Sequence, residues 1–429
     1  MSEADARFKQ SVRELSDRLV EAQRPIRILD AIKWDDKVAS DFLAAGGKEL
    51  PKVDRSYYDH RPLPFDAPAK RLELQELSRD ITRTLGEFSP VAGILRRMCA
   101  EYVSVIRMLE ARGTPEFGLI SQQLYGGATD AFHAGDPSLA DLGVMLSDTL
   151  ERIDGSGHIE DDAKDIPAEK AVEILQERLD KVFGASERRI RVMLSDGIVA
   201  DAAAGADYLK LRAEASFSAR DLRLLEIHEG WVHVGTTLNG AAQPICTFLS
   251  KGPPSATVTQ EGLAILAEIL AFASHPPRLR RLTNRIRGVG MAEQGADFCE
   301  VYAFFAEQGF APEEAYQMTA RVFRGSTPTG LPFTKDLSYS KGFVLTYNFI
   351  LLAVKAGKLD IIPLLFVGKT NLADMRLIRQ LVEEGLVARP AFVPEPFADL
   401  KALSAWMCYS SFLSRLSLGR MEADYASLL

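Results

Sequence analysis

Two imidazoles and a carboxylate stand close together near the middle of the chain, in His228-Glu-Gly-Trp-Val-His233. These are the parts of a catalytic zinc site. Imidazole nitrogens bind the ion, and a glutamate beside the first histidine can take a proton from the water that the metal activates. The pattern is HExxxH, one residue longer than metal helices usually use. In a regular helix residues i and i+4 lie about 40° apart around the axis, whereas i and i+5 lie about 140° apart. Rings so divergent cannot meet on one ion at ~2.0–2.1 Å. The spacing therefore predicts a departure from regular helical bonding at or beside Gly230, a π-bulge that returns both histidines to one face. The alternative is a solvent-edge helix that carries two unrelated histidines.

A catalytic zinc needs a third protein ligand and an open fourth position. The next helix, expected over 258–274, offers Gln260-Glu-Gly-Leu-Ala-Ile-Leu-Ala-Glu268. Glu261 and Glu268 are seven apart and share a face, so either could be the ligand while the other is solvated or supports a ligand from behind. Thr257 and Gln260 fit a capping box, which would explain Gln260 without chemistry. Trp231, at helical spacing between the histidines, reads as core.

The elements that must position these residues follow from periodicity. Apolar residues recur at helical spacing over 68–86 and 90–111, with Pro90 in a first turn and Gly113 after the last periodic residue. A further helix is expected over 167–184, after the polar loop Asp154-Gly-Ser-Gly-His-Ile-Glu-Asp-Asp. From about 188 the pattern alternates: 189–195 and 208–215 read as two half-buried strands with Ser195-Asp-Gly as a turn between them. The metal helix begins near Ser218, a suitable cap, or Asp221. A Gly- and Pro-rich loop over 239–256 follows, and the remainder reads as helical with one strand candidate at 361–367. The expected fold class is α+β, mostly helical. A helical N-terminal region over 1–185 precedes a zincin-like metallopeptidase domain over 186–429, whose small sheet comes before the metal helix.

Gln260-Glu-Gly-Leu-Ala264 downstream of HExxxH resembles the flavohemoglobin expression-modulating QEGLA-motif proteins. That family is similar to the eukaryotic microtubule-associated tyrosine carboxypeptidases, which carry HExxxH and a glutamate on a following helix. The likeness covers most of the chain, including Tyr57-Tyr-Asp-His-Arg-Pro62 and the stretch from Arg321-Val-Phe-Arg-Gly325 through Asp336-Leu-Ser-Tyr339. It implies that His228, His233 and Glu261 are zinc ligands and that Glu229 is the general base.

Composition narrows the classes. The 429 residues are 47% hydrophobic and 26% charged, which is globular and excludes disordered or low-complexity chains. A net charge of -8 argues against nonspecific nucleic-acid binding, which needs a basic face. Four widely spaced cysteines without a CxxC point to a reducing compartment, and the charged N-terminus has no signal-peptide core. The longest apolar stretch, 342–354, is too short to span a bilayer. A cytoplasmic protein with neither nucleic-acid nor membrane partners is expected. The segment 152–163 lacks two carboxylates of a calcium loop, and Gly288-Val-Gly290 lacks the strand and third glycine of a dinucleotide fingerprint. His60, His133, His158 and His275 have no ligand-spaced partners; His275 reads as the end of a helix.

The expected function is zinc-dependent peptide hydrolysis, as a carboxypeptidase acting on the C-terminus of a peptide or protein held along an edge strand. The alternatives are a metal-stabilised regulatory or binding protein without turnover, and a zinc hydrolase of small molecules. A carboxypeptidase needs a fixed cation for the terminal carboxylate and a donor to the developing oxyanion. Between Arg321 and Tyr339 both types occur: Arg324 for the carboxylate, with Lys335 as substitute, and Tyr339 for the oxyanion. The competing reading has Arg321 and Arg324 neutralising a helix C-terminus and Tyr339 in the core.

Overall fold

The computed structural model describes residues 3–160, 162–184, 189–196, 201–205 and 207–425. The expected helices stand as Ala67–Leu85, Pro90–Glu110 and Ala168–Phe183. The first shows why the spans are so well defined. The Asp66 carboxylate accepts from the Ala69 amide at 2.8 Å, Leu74, Leu77, Ile81 and Leu85 form its buried stripe, and Gly86 ends it at φ +84°.

These helices do not keep a core to themselves. Leu15, Leu74, Ile81, Leu95 and Ile106 share one apolar cluster with Phe248, Leu263, Phe366, Leu381 and Met407. Core residues on both sides of position 185 thus pack together. A second cluster joins Leu175, Leu179 and Phe183 to the sheet residues Val192, Leu209 and Leu211, and to Val234 and Leu238 of the metal helix.

The sheet differs from the expected hairpin. Tyr208–Arg212 lies in the centre, parallel to Arg191–Ser195 with Tyr208 opposite Arg191, and antiparallel to Ala202–Ala204 with Lys210 opposite Ala203. Parallel neighbours cannot be joined by a tight turn, so the chain makes a longer excursion and returns through Ala202–Ala204. Gly197 of the expected turn lies outside the described residues. Ala202–Ala204 is left as an edge strand.

Other expectations need correction. Residues 361–367 are not a strand: 3₁₀ turns occupy Leu359–Ile361 and Pro363–Phe366. Leu364, Leu365, Phe366 and Val367 are all fully buried, and such a run has no period that separates a strand from other buried structure. Helices and a 3₁₀ turn fill much of the expected 239–256 loop, because the metal helix continues to Ala241, Thr247–Ser250 forms the turn and the next helix, Pro254–Leu270, starts early on a first-turn proline. Thr257 and Gln260 are therefore inside that helix and form no capping box. His275 does not end a helix. It precedes Pro276–Glu293, and burial lowers its pKa.

The run Thr334–Lys355 is long and apolar enough by length and composition to cross a membrane, although 342–354 alone reads as too short. In the fold its helix, Ser338–Lys355, packs against Pro254–Leu270 at backbone contact. A Cβ on Gly262 would run into the Gly342 backbone, and one on Gly342 into the Val258 carbonyl. Backbone cannot yield as a flexible side chain would. Gly262→Ala is expected to cost roughly 2–3 kcal/mol through this clash, read as a lower denaturant midpoint. An unchanged midpoint would mean the helices are free to separate.

Candidate metal centre

The metal helix starts from a reciprocal cap. Ser218 Oγ accepts from the Asp221 amide at 3.0 Å, and the Asp221 carboxylate accepts from the Ser218 amide at 2.9 Å. Regular helix runs over Ala219–Leu225, gives way to π-helix over Glu226–Val234, and resumes over Gly235–Ala241. The departure expected from the five-residue spacing is present, and it takes in the whole motif. With i→i+5 bonding the two histidines return to one face.

Neighbouring side chains support the altered helix. The Thr236 hydroxyl lies 2.6 Å from the Val232 carbonyl and 2.8 Å from Gln260 Oε1, and shares its proton between them. The His233 carbonyl accepts from Thr237 Oγ1 at 2.8 Å and from Lys369 Nζ at 2.9 Å. Lys369 also donates to Gln260 Oε1 at 3.0 Å. Gln260 therefore ties the QEGLA helix to the π-segment. Beneath the helix, a Cβ at Gly230 would press on the Leu179 side chain. Trp231 packs against Phe183, with ring centroids 5.6 Å apart, as a core residue would.

Within this frame three ligand atoms converge. The His228 and His233 rings are 4.8 Å apart and nearly perpendicular, at 84°. Their Nε2 atoms lie 3.5 and 3.4 Å from the same oxygen, Glu261 Oε2. Donors about 2.0–2.1 Å from a tetrahedral ion are about 3.4 Å from one another, so the spacing suits one. Glu261 Oε2 is buried and accepts no hydrogen bond, whereas Oε1 accepts from Lys335 Nζ at 3.2 Å. An orphaned buried acceptor is costly, and a cation between it and the imidazoles would satisfy it. His228, His233 and Glu261 form a group that could hold a metal ion.

Glu268 takes the other role that the sequence leaves open. Fully buried, it lies with Oε1 2.6 Å from His228 Nδ1, and Arg278 grips it with Nη2 at 2.9 Å and Nε at 3.2 Å. A proton on Nδ1 facing this carboxylate leaves Nε2 free as a ligand. Both buried carboxylates are held ionised. Burial opposes ionisation of Glu268, yet Arg278 and His228 bring it down to about 2. Burial likewise opposes ionisation of Glu261, but Lys335 and the imidazoles hold it well below the usual carboxylate range. Burial disfavours a charged His228, and the Glu261 and Glu268 carboxylates on either side of it outweigh that and raise the ring to about 10. Two buried carboxylates create a demand for positive charge between them.

Glu229 faces the same place. Its Oε1 is 3.9 Å from His228 Nε2, and Oε2 accepts from the Ala204 amide at 3.2 Å, so the edge strand aims the carboxylate. Glu229, His228 and Tyr339 line a cleft of about 790 Å³, together with Arg278, Arg281 and Arg285. The Tyr339 ring is 6.3 Å from the His228 ring and nearly parallel to it.

The family model described as microtubule-associated tyrosine carboxypeptidase matches residues 40–415. The chain belongs to the microtubule-associated tyrosine carboxypeptidase family. A comparison with curated proteins found no match. The carboxypeptidase family match takes in the π-segment, the QEGLA helix and Tyr339, and carboxypeptidases act on C-terminal residues.

Two remaining candidates for carboxypeptidase chemistry are placed differently from Tyr339. Arg324 is buried over the Phe333 ring with Nη2 3.9 Å from Asp336, and it does not line the cleft. Lys335 is engaged by Glu261, and its ammonium lies 5.8 Å from the Tyr339 ring centre. Arg321 forms a two-pronged pair with Asp336 at 2.7 and 2.8 Å. The sequence reading missed Arg278 and Arg285. Both belong to a run of five arginines, at 278, 280, 281, 285 and 287, in which nothing local distinguishes one from another.

Proposed function

We propose that the chain is a zinc-dependent carboxypeptidase that releases the C-terminal residue, tyrosine foremost, from a peptide or protein. The observation that carries this is the convergence of two imidazole nitrogens on one unpartnered Glu261 oxygen, beside a cleft that His228 and Glu229 line. His228, His233 and Glu261 would hold the zinc, which when bound would polarise the scissile carbonyl and acidify the attacking water. Glu229 takes a proton from that water and passes it to the leaving amine. The Ala204 amide holds one of its oxygens, which leaves the other for the transfer. Tyr339 donates its hydroxyl proton as a hydrogen bond to the developing oxyanion. The edge strand Ala202–Ala204 takes the extended substrate by β-addition.

In this reading residues 186–429 form a zincin-like catalytic region, and 1–185 form a helical region that shares its core. The four free cysteines support a cytoplasmic setting.

The test is mass spectrometry of peptides with varied C-termini incubated with the protein. Loss of one terminal residue is expected, greatest for tyrosine, abolished by a chelator and restored by zinc. Intact peptides in the presence of stoichiometric zinc would overturn the reading and leave a metal-stabilised regulatory protein.

A further inference from the structure

The helix Pro276–Glu293 carries five arginines, and their partners divide them sharply. Arg278 grips Glu268, Arg280 pairs with Asp154, Arg281 pairs with Glu314 at 2.7 Å, and Arg287 donates to Ser147 Oγ at 2.8 Å and to Gln308. Arg285 alone of the five has no acid or hydrogen-bond acceptor closer than 3.9 Å to its side chain among the described residues. Its side chain is only 13% exposed, and its buried Nε is without a hydrogen-bond partner. Its nearest acid is Asp336, at 3.9 Å, but Arg321 already occupies both Asp336 oxygens and Arg324 stands 3.9 Å from one of them. Three guanidinium groups thus share one carboxylate. Burial and the neighbouring Arg321 lower the Arg285 pKa to about 10, as expected for a cation short of counter-charge.

The position of this surplus charge is informative. Arg285 follows Arg278 by seven residues, on the same helical face, and both line the cleft. The Arg285 guanidinium sits 5.3 Å from the centre of the Tyr339 ring, which fixes it by a cation–π contact, and His228 and the Lys335 ammonium are further neighbours of that ring. One aromatic ring therefore separates the metal ligands from a guanidinium whose only acid is distant and shared. A single peptide residue spans roughly 3.5 Å, so a chain whose scissile carbonyl lies at the metal group would bring its terminal carboxylate into this neighbourhood. A planar guanidinium binds both oxygens of a carboxylate, and where the cation is itself largely buried an incoming anion relieves its shortage of counter-charge.

We propose that Arg285 reads the free α-carboxylate of the residue being released, and so makes this cleft selective for chain ends. The assignment rests on the carboxypeptidase reading and replaces Arg324 as the group that recognises the terminus. Arg285 is a specificity residue in direct contact with substrate, and Tyr339 holds it in place.

The experiment uses the full chain loaded with zinc and acetyl-Ala-Ala-Ala-Tyr, as the free acid and as the C-terminal amide. Binding is measured by calorimetry in the Glu229→Gln background, where the peptide is not consumed, and hydrolysis is measured with Glu229 intact. The acid should bind roughly a hundredfold more tightly than the amide, the usual weight of a charge-assisted contact. Arg285→Gln should reduce that ratio to below about threefold with zinc content unchanged, and Arg285→Lys should restore part of it. In hydrolysis the loss should fall mainly on KM for the acid, with little change for the amide. Acid selectivity that persists in Arg285→Gln, or is missing from the unaltered protein, overturns the assignment. Acid-selective, Arg285-dependent binding without any turnover would instead overturn the carboxypeptidase reading and keep the carboxylate site. Turnover that ignores the terminal charge would do the reverse.

Discussion

Glu229→Gln is expected to lower kcat by roughly a thousandfold while zinc stays bound in full, since removing a positioned general base costs about 10²–10⁴. Glutamine matches glutamate in shape, and its carbonyl oxygen can still accept from the Ala204 amide that holds Oε2 at 3.2 Å. What disappears is the second oxygen, Oε1, 3.9 Å from His228 Nε2, as a place for a proton in transit. No metal ligand is altered, so a fall in activity with constant zinc separates the base from the ligands. Comparable activity in Glu229→Gln would mean that another residue takes the proton.

His228→Ala is expected to remove most of the zinc. It deletes one proposed ligand and also strands Glu268, which keeps only Arg278 as a partner in a fully buried site. A charge left half-compensated in the interior adds to the loss. Glu261→Ala should do the same by removing the oxygen on which both Nε2 atoms converge. Glu268→Gln should be milder, about 10–100-fold in affinity, because it weakens the support of His228 without removing a ligand. Zinc content after dialysis reads all three. Full occupancy in both His228→Ala and Glu261→Ala would exclude this ligand set.

The parts of the site that lie within one helical segment were the most legible. His228 and His233 are separated by an offset that a regular helix cannot serve, and the π-helix over Glu226–Val234 answers that conflict. The capping residue Ser218 and the helices over 68–86 and 90–111 also follow from local rules, and they stand within a residue of expectation. Interactions between distant segments were not legible. Glu261 and Glu268 are equivalent by spacing, and only the packing of their helix against His228 shows one facing Nε2 and the other Nδ1. Gln260 fitted a capping rule, but the proline start at Pro254 drew the helix past it and buried its amide against Thr236 and Lys369. The parallel pairing of Arg191–Ser195 with Tyr208–Arg212 leaves no local signal, because alternation specifies a half-buried strand and not its direction. Arg285 is the clearest case. Its significance lies in having only a distant acid that Arg321 already occupies, and that shortage is a property of the assembled fold.

The contact between Gly262 and Gly342 has a consequence for how fast the site can work. Glu261 directly precedes one of these glycines, and Tyr339 stands three residues before the other. Two helices whose backbones touch cannot slide or roll without collision, so the carboxylate that faces the metal position and the hydroxyl assigned to the oxyanion keep a fixed separation as the protein breathes. Their alignment is set once, during folding, and need not be recreated at each encounter with substrate. Catalysis that depends on stabilising charge gains most from groups already oriented when that charge appears. A site built this way is preorganised by its least chemical residues, two side chains reduced to hydrogen atoms.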